Sequence, residues 1–262
     1  MDRVTGMSCR PIVEAFEMVH PTGTGRAYSA RRRVRLGDAT PLGRLRLDAV
    51  ARYLQDIAND DSRDAEWSDP HWWVVRRTVV DVHEFPAYLQ EIDLVTWCGG
   101  LGSHWAERRT RIAATDGRTL VDAASLWVHV DSESLQPTRV PADIVESLES
   151  ATSGRTVNAR LMLKPAIFPS GPAVEAPWPL RFADFDAVGH MNNAAYWVVL
   201  EESLAADRSL RAPLRAVVEH VVQVEPGQQL RRRLIADAGE VSVQLLVNDT
   251  VHAAAWCGVV SP

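Results

Sequence analysis

Three things are scarce in this sequence. Cysteine occurs only at Cys9, Cys98 and Cys257, far apart and without CxxC or Cys/His spacing, which excludes a disulfide framework and a zinc site of paired ligands. A reducing, cytoplasmic setting is therefore expected. Lysine occurs once, at Lys164, so nearly all of the positive charge is arginine, a bias that reports composition rather than function. No stretch approaches the ~18 apolar residues of a membrane span, and Asp2, Arg3, Glu14 and Glu17 interrupt the N-terminus where a signal peptide would carry its apolar core. The expectation is a chain neither exported nor membrane-spanning. Lys plus Arg number 28 against 34 Asp plus Glu, a net charge of -6, which argues against a nucleic-acid binder with a globally basic surface. An acidic partner would have to meet a local arginine patch.

What is present is an ordinary globular composition, 46% hydrophobic and 24% charged over 262 residues, and at roughly 150 residues per domain this predicts two small soluble domains. Residues 26–36 read as a strand, followed by a turn-rich break at 38–43. Leu47, Val50, Ala51, Leu54, Ile57 and Ala58 then recur at helical spacing opposite Asp48, Arg52, Gln55 and Asp56, predicting a helix that ends near Asn59 to Ser62. Strands are expected over 71–82, 91–97, 104–115 and 119–130, with Asp116-Gly117 a hairpin turn, and a short helix over 140–149. Pro165, Pro169, Pro172 and Pro177 mark residues 151–178 as a linker without regular structure.

Beyond the linker the same order returns: a short strand at 180–182, a helix over 190–206, and strands near 216–224, 229–237, 241–247 and 251–260. Asp38, Gly43, Leu45 and Leu54 stand at the same relative spacings as Asp184, Gly189, Met191 and Leu200, so the chain reads as a tandem duplication. The expected domains are residues 1–150, a linker over 151–178, and residues 179–262. A long helix followed by antiparallel strands, twice over, predicts an α+β fold in which each sheet wraps its own helix, the hot-dog arrangement.

The most polar segment is Asp184-Phe185-Asp186-Ala187-Val188-Gly189-His190-Met191-Asn192-Asn193-Ala194-Ala195-Tyr196. A carboxylate, an imidazole and two amides within eight residues are unusual beside a core helix. Gly189 would let a substrate approach the backbone, and a helix starting at His190 would present free amides to a carbonyl oxygen. Capping is the competing role for Asn192 and Asn193.

This segment resembles the signature of hot-dog thioesterases, with Asp186, Gly189-His190, Asn192-Asn193 and Tyr196 at the matching spacing. Together with Trp73 to Val75 and Leu126-Trp127-Val128 before Pro141, the tandem architecture resembles the acyl-ACP thioesterase family over most of the chain. The resemblance implies hydrolysis of acyl-ACP to free fatty acid in fatty-acid biosynthesis, with acyl-CoA the nearest alternative substrate and neither metal nor cofactor. It implies Asp186 as the catalytic carboxylate, activating water or attacking the thioester. It also implies His190 as an orienting or polarising group, and Gly189, Asn192 and Asn193 as substrate-binding residues. Plant members carry an Asn where Val188 stands and a Glu on a later strand, aligned with Gln223. Gln223 would hold a water without taking its proton, and Glu219 on the same strand is the alternative. Thr40 and Arg44 replace Asp186 and His190 in the first repeat, implying one active site per chain, and a homodimer of double units is conceivable.

Trp72, Trp73, Trp97, Trp105 and Trp127 offer apolar wall for an acyl pocket, though core packing is the ordinary role. His71, His104, His129 and His252 have no partner spacing and are assigned nothing, and Cys257 reads as a small core residue. Arginines 31–33, 76–77, 108–109 and 231–233 would suit an acidic carrier, or are simply solvated. Two other functions compete. A hot-dog hydratase is disfavoured because its Asp-x-Asn-Pro-x-His pattern places His five positions after Asp, whereas His190 follows Asp186 by four with no Pro between. A noncatalytic acyl-binding protein is left open by Val188 and Gln223, although it would have little use for Asp186.

Overall fold

A computed structural model describes residues 9–67, 73–163, 168, 172–237 and 239–260. The predicted roles of His71 and Trp72, together with Lys164, Pro165 and Pro169, lie outside these residues. In chain order the elements are α1 (Arg10–Glu14), β1 (Ala27–Arg33), α2 (Leu47–Asp64), β2 (Trp73–Val82), β3 (Glu91–Leu101), β4 (Trp105–Ala114), β5 (Thr119–His129) and α3 (Ala142–Thr152). There follow β6 (Val174–Trp178), α4 (Val198–Ala206), β7 (Leu214–His220), β8 (Leu230–Asp237), β9 (Glu240–Val247) and β10 (Thr250–Val259).

Two compact units result, one of Met18–Arg160, the other joining residues 9–17 to the chain from Leu161 onward. In the first, five antiparallel strands lie in the order β1-β3-β4-β5-β2. The stripe read from sequence is the buried face of α2, with Leu47, Val50 and Ile57 fully buried. The register sets Arg31 opposite Asp93 and Arg33 opposite Glu91, and each pair is an ion pair. The arginine run on β1 is therefore largely neutralised by its neighbouring strand. Trp97 is a core residue, and Trp105 donates its indole N–H to the Val157 carbonyl at 2.8 Å.

In the second unit the order is β6-β8-β9-β10-β7, element for element that of the first. The chain is thus α+β, two hot-dog units in tandem, as the duplicated pattern predicts. Four local expectations are corrected. Residues 174–178 form a strand inside the supposed linker. β6 lies at the edge of its sheet, paired only with β8, where the missing N–H of Pro177 costs no ladder bond. The strand expected at 180–182 is absent and residues 182–184 form a 3-10 turn, because the Asp184 carboxylate accepts the Arg181 N–H at 2.7 Å and its guanidinium at 2.6 Å. The helix begins at Val198 after a 3-10 turn at Ala195–Trp197, since Asn192 Oδ1 takes the Ala194 N–H at 2.9 Å and so offers the backbone an alternative to helix. β7 ends at His220, leaving Gln223 in a loop.

The units also divide at places other than 150 and 178. Arg10 on α1 donates to Glu240 and to the Val259 carbonyl, both at 2.8 Å, and its guanidinium lies over the Trp256 ring. Buried Arg215 on β7 donates to the carbonyls of Val13 and Phe16 at 2.8 Å each. These bonds tie the N-terminal segment to the second repeat.

Candidate functional site: the Asp186 turn

The turn is closed by its own backbone. Asp186 N–H donates to the His190 carbonyl at 3.1 Å, Gly189 N–H to the Asp186 carbonyl at 3.0 Å, and Asn192 N–H to the Asp184 carbonyl at 2.8 Å. Gly189 sits at φ 87°, in the left-handed region that glycine adopts without strain. The half-buried Asp186 carboxylate then accepts two donors: the Val188 N–H at 3.0 Å on Oδ1 and the Asn192 side-chain amide at 3.1 Å on Oδ2. A carboxylate has about four acceptor sites, so two contacts fix its direction and leave room for a water. Asn192 thus both caps and orients. Asn193 is half-buried, with no side-chain hydrogen bond among the described residues.

Next to the turn runs the loop 221–224. Met191 N–H donates to the Val224 carbonyl at 2.9 Å, and the buried phenol of Tyr196 lies near the Val224 amide. Burial, with Asp186 nearby, pushes that phenol up to about 12, so Tyr196 stays a neutral hydroxyl. Its ring meets His220 edge-on with centroids 4.7 Å apart. The loop brings Gln223, whose side chain is exposed, within one residue of this junction. Glu219 points elsewhere. His220 faces Tyr196, so strand alternation turns Glu219 to the opposite face of β7, where its fully buried carboxylate accepts the N–H groups of Met162 and Leu163 at 2.8 Å each.

The first repeat carries the same turn bond for bond. Thr40 N–H donates to Arg44, Gly43 N–H to Thr40, Arg46 N–H to Asp38, and Leu45 N–H to Pro86, at 2.8 to 3.0 Å. The Thr40 hydroxyl accepts the Leu42 N–H as Asp186 accepts that of Val188. These equivalences match Thr40 to Asp186, Arg44 to His190, and Phe85 to Gln223. Arg44 lies over the Phe85 ring, 4.3 Å from its centroid, so the two positions that His190 and Gln223 occupy are in contact in the first repeat. The side chains capable of acid–base work are absent there.

The three cysteines are free and buried, and burial pushes the thiols of Cys9 and Cys98 up to about 11. None is a poised nucleophile. Among the described residues no three His, Cys, Asp or Glu side chains are grouped to hold a metal ion.

The models of the acyl-ACP thioesterase N-terminal and C-terminal domains match residues 25–148 and 171–253, together more than half of the chain. The chain belongs to the acyl-ACP thioesterase family. Family membership makes it a thioester hydrolase. An uncharacterized protein of Mycobacterium tuberculosis is 31% identical over 242 residues, covering 91% of this chain and 94% of that protein. A chloroplastic acyl-(acyl-carrier-protein) hydrolase of Cuphea viscosissima, FATB2, is 24% identical over 74% of this chain and 56% of its own length. Among solved structures, an acyl-ACP thioesterase from Bacteroides thetaiotaomicron superposes with TM-score 0.74 at 18% identity, covering 88% of this chain and 97% of that one. The 12:0-ACP thioesterase of Umbellularia californica gives 0.71 at 15% identity, covering 90% and 97%. At these identities the structural likeness speaks for the fold.

The paired turns of this family member allow a controlled test. Gly43 sits at φ 80° and Gly189 at 87°, each with open space where a Cβ would stand. Gly43→Ala and Gly189→Ala should each cost about 1 kcal/mol from left-handed backbone strain alone. Thermal denaturation should report similar losses, while thioester turnover should fall only in Gly189→Ala.

Sequence reasoning missed His252 as part of this region. The available signal was a polar residue on the second repeat's last strand where the first repeat carries Leu120.

Proposed function

We propose that this chain hydrolyses acyl-ACP to free fatty acid and ACP in the cytoplasm, as a step of fatty-acid biosynthesis, with Asp186 as the catalytic carboxylate. The observation that carries the reading is the Asp186 carboxylate, oriented by Val188 and Asn192, four residues from an amide N–H of His190 that has no protein partner among the described residues. Acting as a base, Asp186 takes a proton from water and the resulting hydroxide attacks the thioester carbonyl. The developing oxyanion accepts the His190 N–H. Collapse breaks the carbon–sulfur bond, and the departing thiolate takes up a proton while the fatty acid leaves. Attack by the carboxylate itself, followed by hydrolysis of the acyl-enzyme, uses the same geometry. Gln223 holds the water, His190 orients the thioester, Gly189 keeps the backbone approachable, and Asn192 and Asn193 complete the substrate-binding surface. The unit of residues 18–160 holds the degenerate motif, and the unit that joins residues 9–17 to the chain from residue 161 onward carries the active site.

Acyl-ACP is favoured over acyl-CoA because both halves of the chain match acyl-ACP thioesterase domains. The test is free-thiol release from medium- and long-chain acyl-ACP and acyl-CoA. Faster turnover of acyl-ACP is expected. A preference for acyl-CoA would reassign the carrier, and no turnover of either by folded protein would leave an acyl-binding protein.

A further inference from the structure

We propose that His252 is a positioning residue of this centre, its imidazole holding the Gln223 carbonyl and so fixing the loop 221–224 against the Asp186 turn. The inference rests on the thioesterase reading above and concerns a residue outside the motif.

His252 is the extra residue of a β-bulge. On β10, Val251 pairs with Leu246 and Ala253 with Leu245, leaving His252 between them without a partner position on β9. A bulge re-aims the side chain it carries. Here the backbone carbonyl of His252 accepts both Val221 N–H at 2.8 Å and Val222 N–H at 3.1 Å, and the imidazole Nδ1 lies 2.9 Å from the Gln223 carbonyl. A carbonyl only accepts, so Nδ1 carries the hydrogen. One residue on, the Val224 carbonyl accepts the Met191 N–H at the turn at 2.9 Å. An unbroken series of bonds therefore runs from the imidazole through residues 223 and 224 to the turn that carries Asp186.

The first repeat isolates what the ring adds. β5 has the same bulge, with Ile112 paired to Val121 and Ala113 to Thr119, so that Leu120 is the extra residue. The Leu120 carbonyl accepts His83 and Glu84 N–H at 2.9 and 3.2 Å, the bonds that His252 makes to Val221 and Val222. The bulge and its carbonyl suffice for the fold. Leu120 is fully buried and His252 is 6% exposed, so the second repeat has placed a polar ring where an aliphatic side chain is serviceable. The loop of the first repeat is held by Phe85 under Arg44. In the second, Gln223 is exposed, and the imidazole bond to its carbonyl takes over the anchoring.

The test compares His252→Leu, the first repeat's own solution, with His252→Asn, whose side-chain amide reproduces the Nδ1–H donor. Mispositioning by about 1 Å costs up to ~10²-fold in rate, so His252→Leu should lower kcat by roughly tenfold to a hundredfold with KM little changed. His252→Asn should recover most of that loss, and in a Gln223→Ala background His252→Leu should cost little more. Amide hydrogen exchange at Val221, Val222 and Val224 should quicken in His252→Leu and return towards wild type in His252→Asn. Wild-type kcat in His252→Leu, equal impairment in the two variants, or unchanged loop exchange would each overturn the proposal. Absence of wild-type turnover would instead refute the thioesterase reading, and the exchange measurement would still decide whether His252 holds the loop.

Discussion

Replacing Asp186 with asparagine is expected to lower kcat by about 10²- to 10⁴-fold, the range of general-base assistance, with little change in melting temperature. Asparagine keeps the acceptor for the Val188 N–H at 3.0 Å and the volume of the side chain. It presents an amide in place of the oxygen that accepts from Asn192, at a half-buried site where water can take up the difference. What disappears is the ability to remove a proton from water or to attack a carbonyl. Asp186→Ala should lose the same activity and also about 1 kcal/mol from the missing hydrogen bonds. Thiol release under single-turnover conditions, with circular dichroism on the same samples, reads both quantities. Full activity in folded Asp186→Asn would remove this carboxylate from the mechanism.

The second large effect is on stability and falls on Glu219. Its carboxylate is fully buried and accepts two backbone N–H groups at 2.8 Å each. Glu219→Gln turns one oxygen into a donor aimed at a donor, leaving a buried amide unsatisfied, and should cost about 3 kcal/mol, the upper end for such a group. Denaturant unfolding should show the loss, while kcat per folded molecule should stay near wild type because Glu219 faces away from Tyr196 and the Asp186 turn. A hundredfold loss of kcat with unchanged stability would return Glu219 to the catalytic residues. Sequence alone leaves Glu219 and Gln223 as alternatives on one strand. They separate because the His252 carbonyl captures the N–H groups of Val221 and Val222, ending β7 before Gln223.

Much of the fold was legible for a simple reason: its elements carry strong periodic signals. The stripe from Leu47 to Ala58 can only be one buried helix face, and Asp116-Gly117 marks its hairpin with Gly117 at φ 88°. The duplication was legible in the turn because both copies need the same left-handed glycine. Other features depend on contacts distant in sequence. β6 reads as linker since Pro177 argues against a strand unless the strand lies at an edge. The late start of α4 depends on one side-chain bond of Asn192. The attachment of residues 9–17 depends on Arg10 meeting Glu240, 230 positions away, and nothing local announces it. At the candidate site the motif was legible, whereas its anchoring through a bulged histidine was visible only once the two repeats could be laid bond against bond.

The first repeat's turn keeps the backbone of the Asp186 turn with threonine, arginine, phenylalanine and leucine in place of aspartate, histidine, glutamine and histidine. Shape and chemistry have therefore been inherited separately, the one retained by the needs of folding, the other free to lapse. A designer wishing to install a second centre would begin with four side chains to rewrite, at positions 40, 44, 85 and 120, on a main chain already bent to receive them.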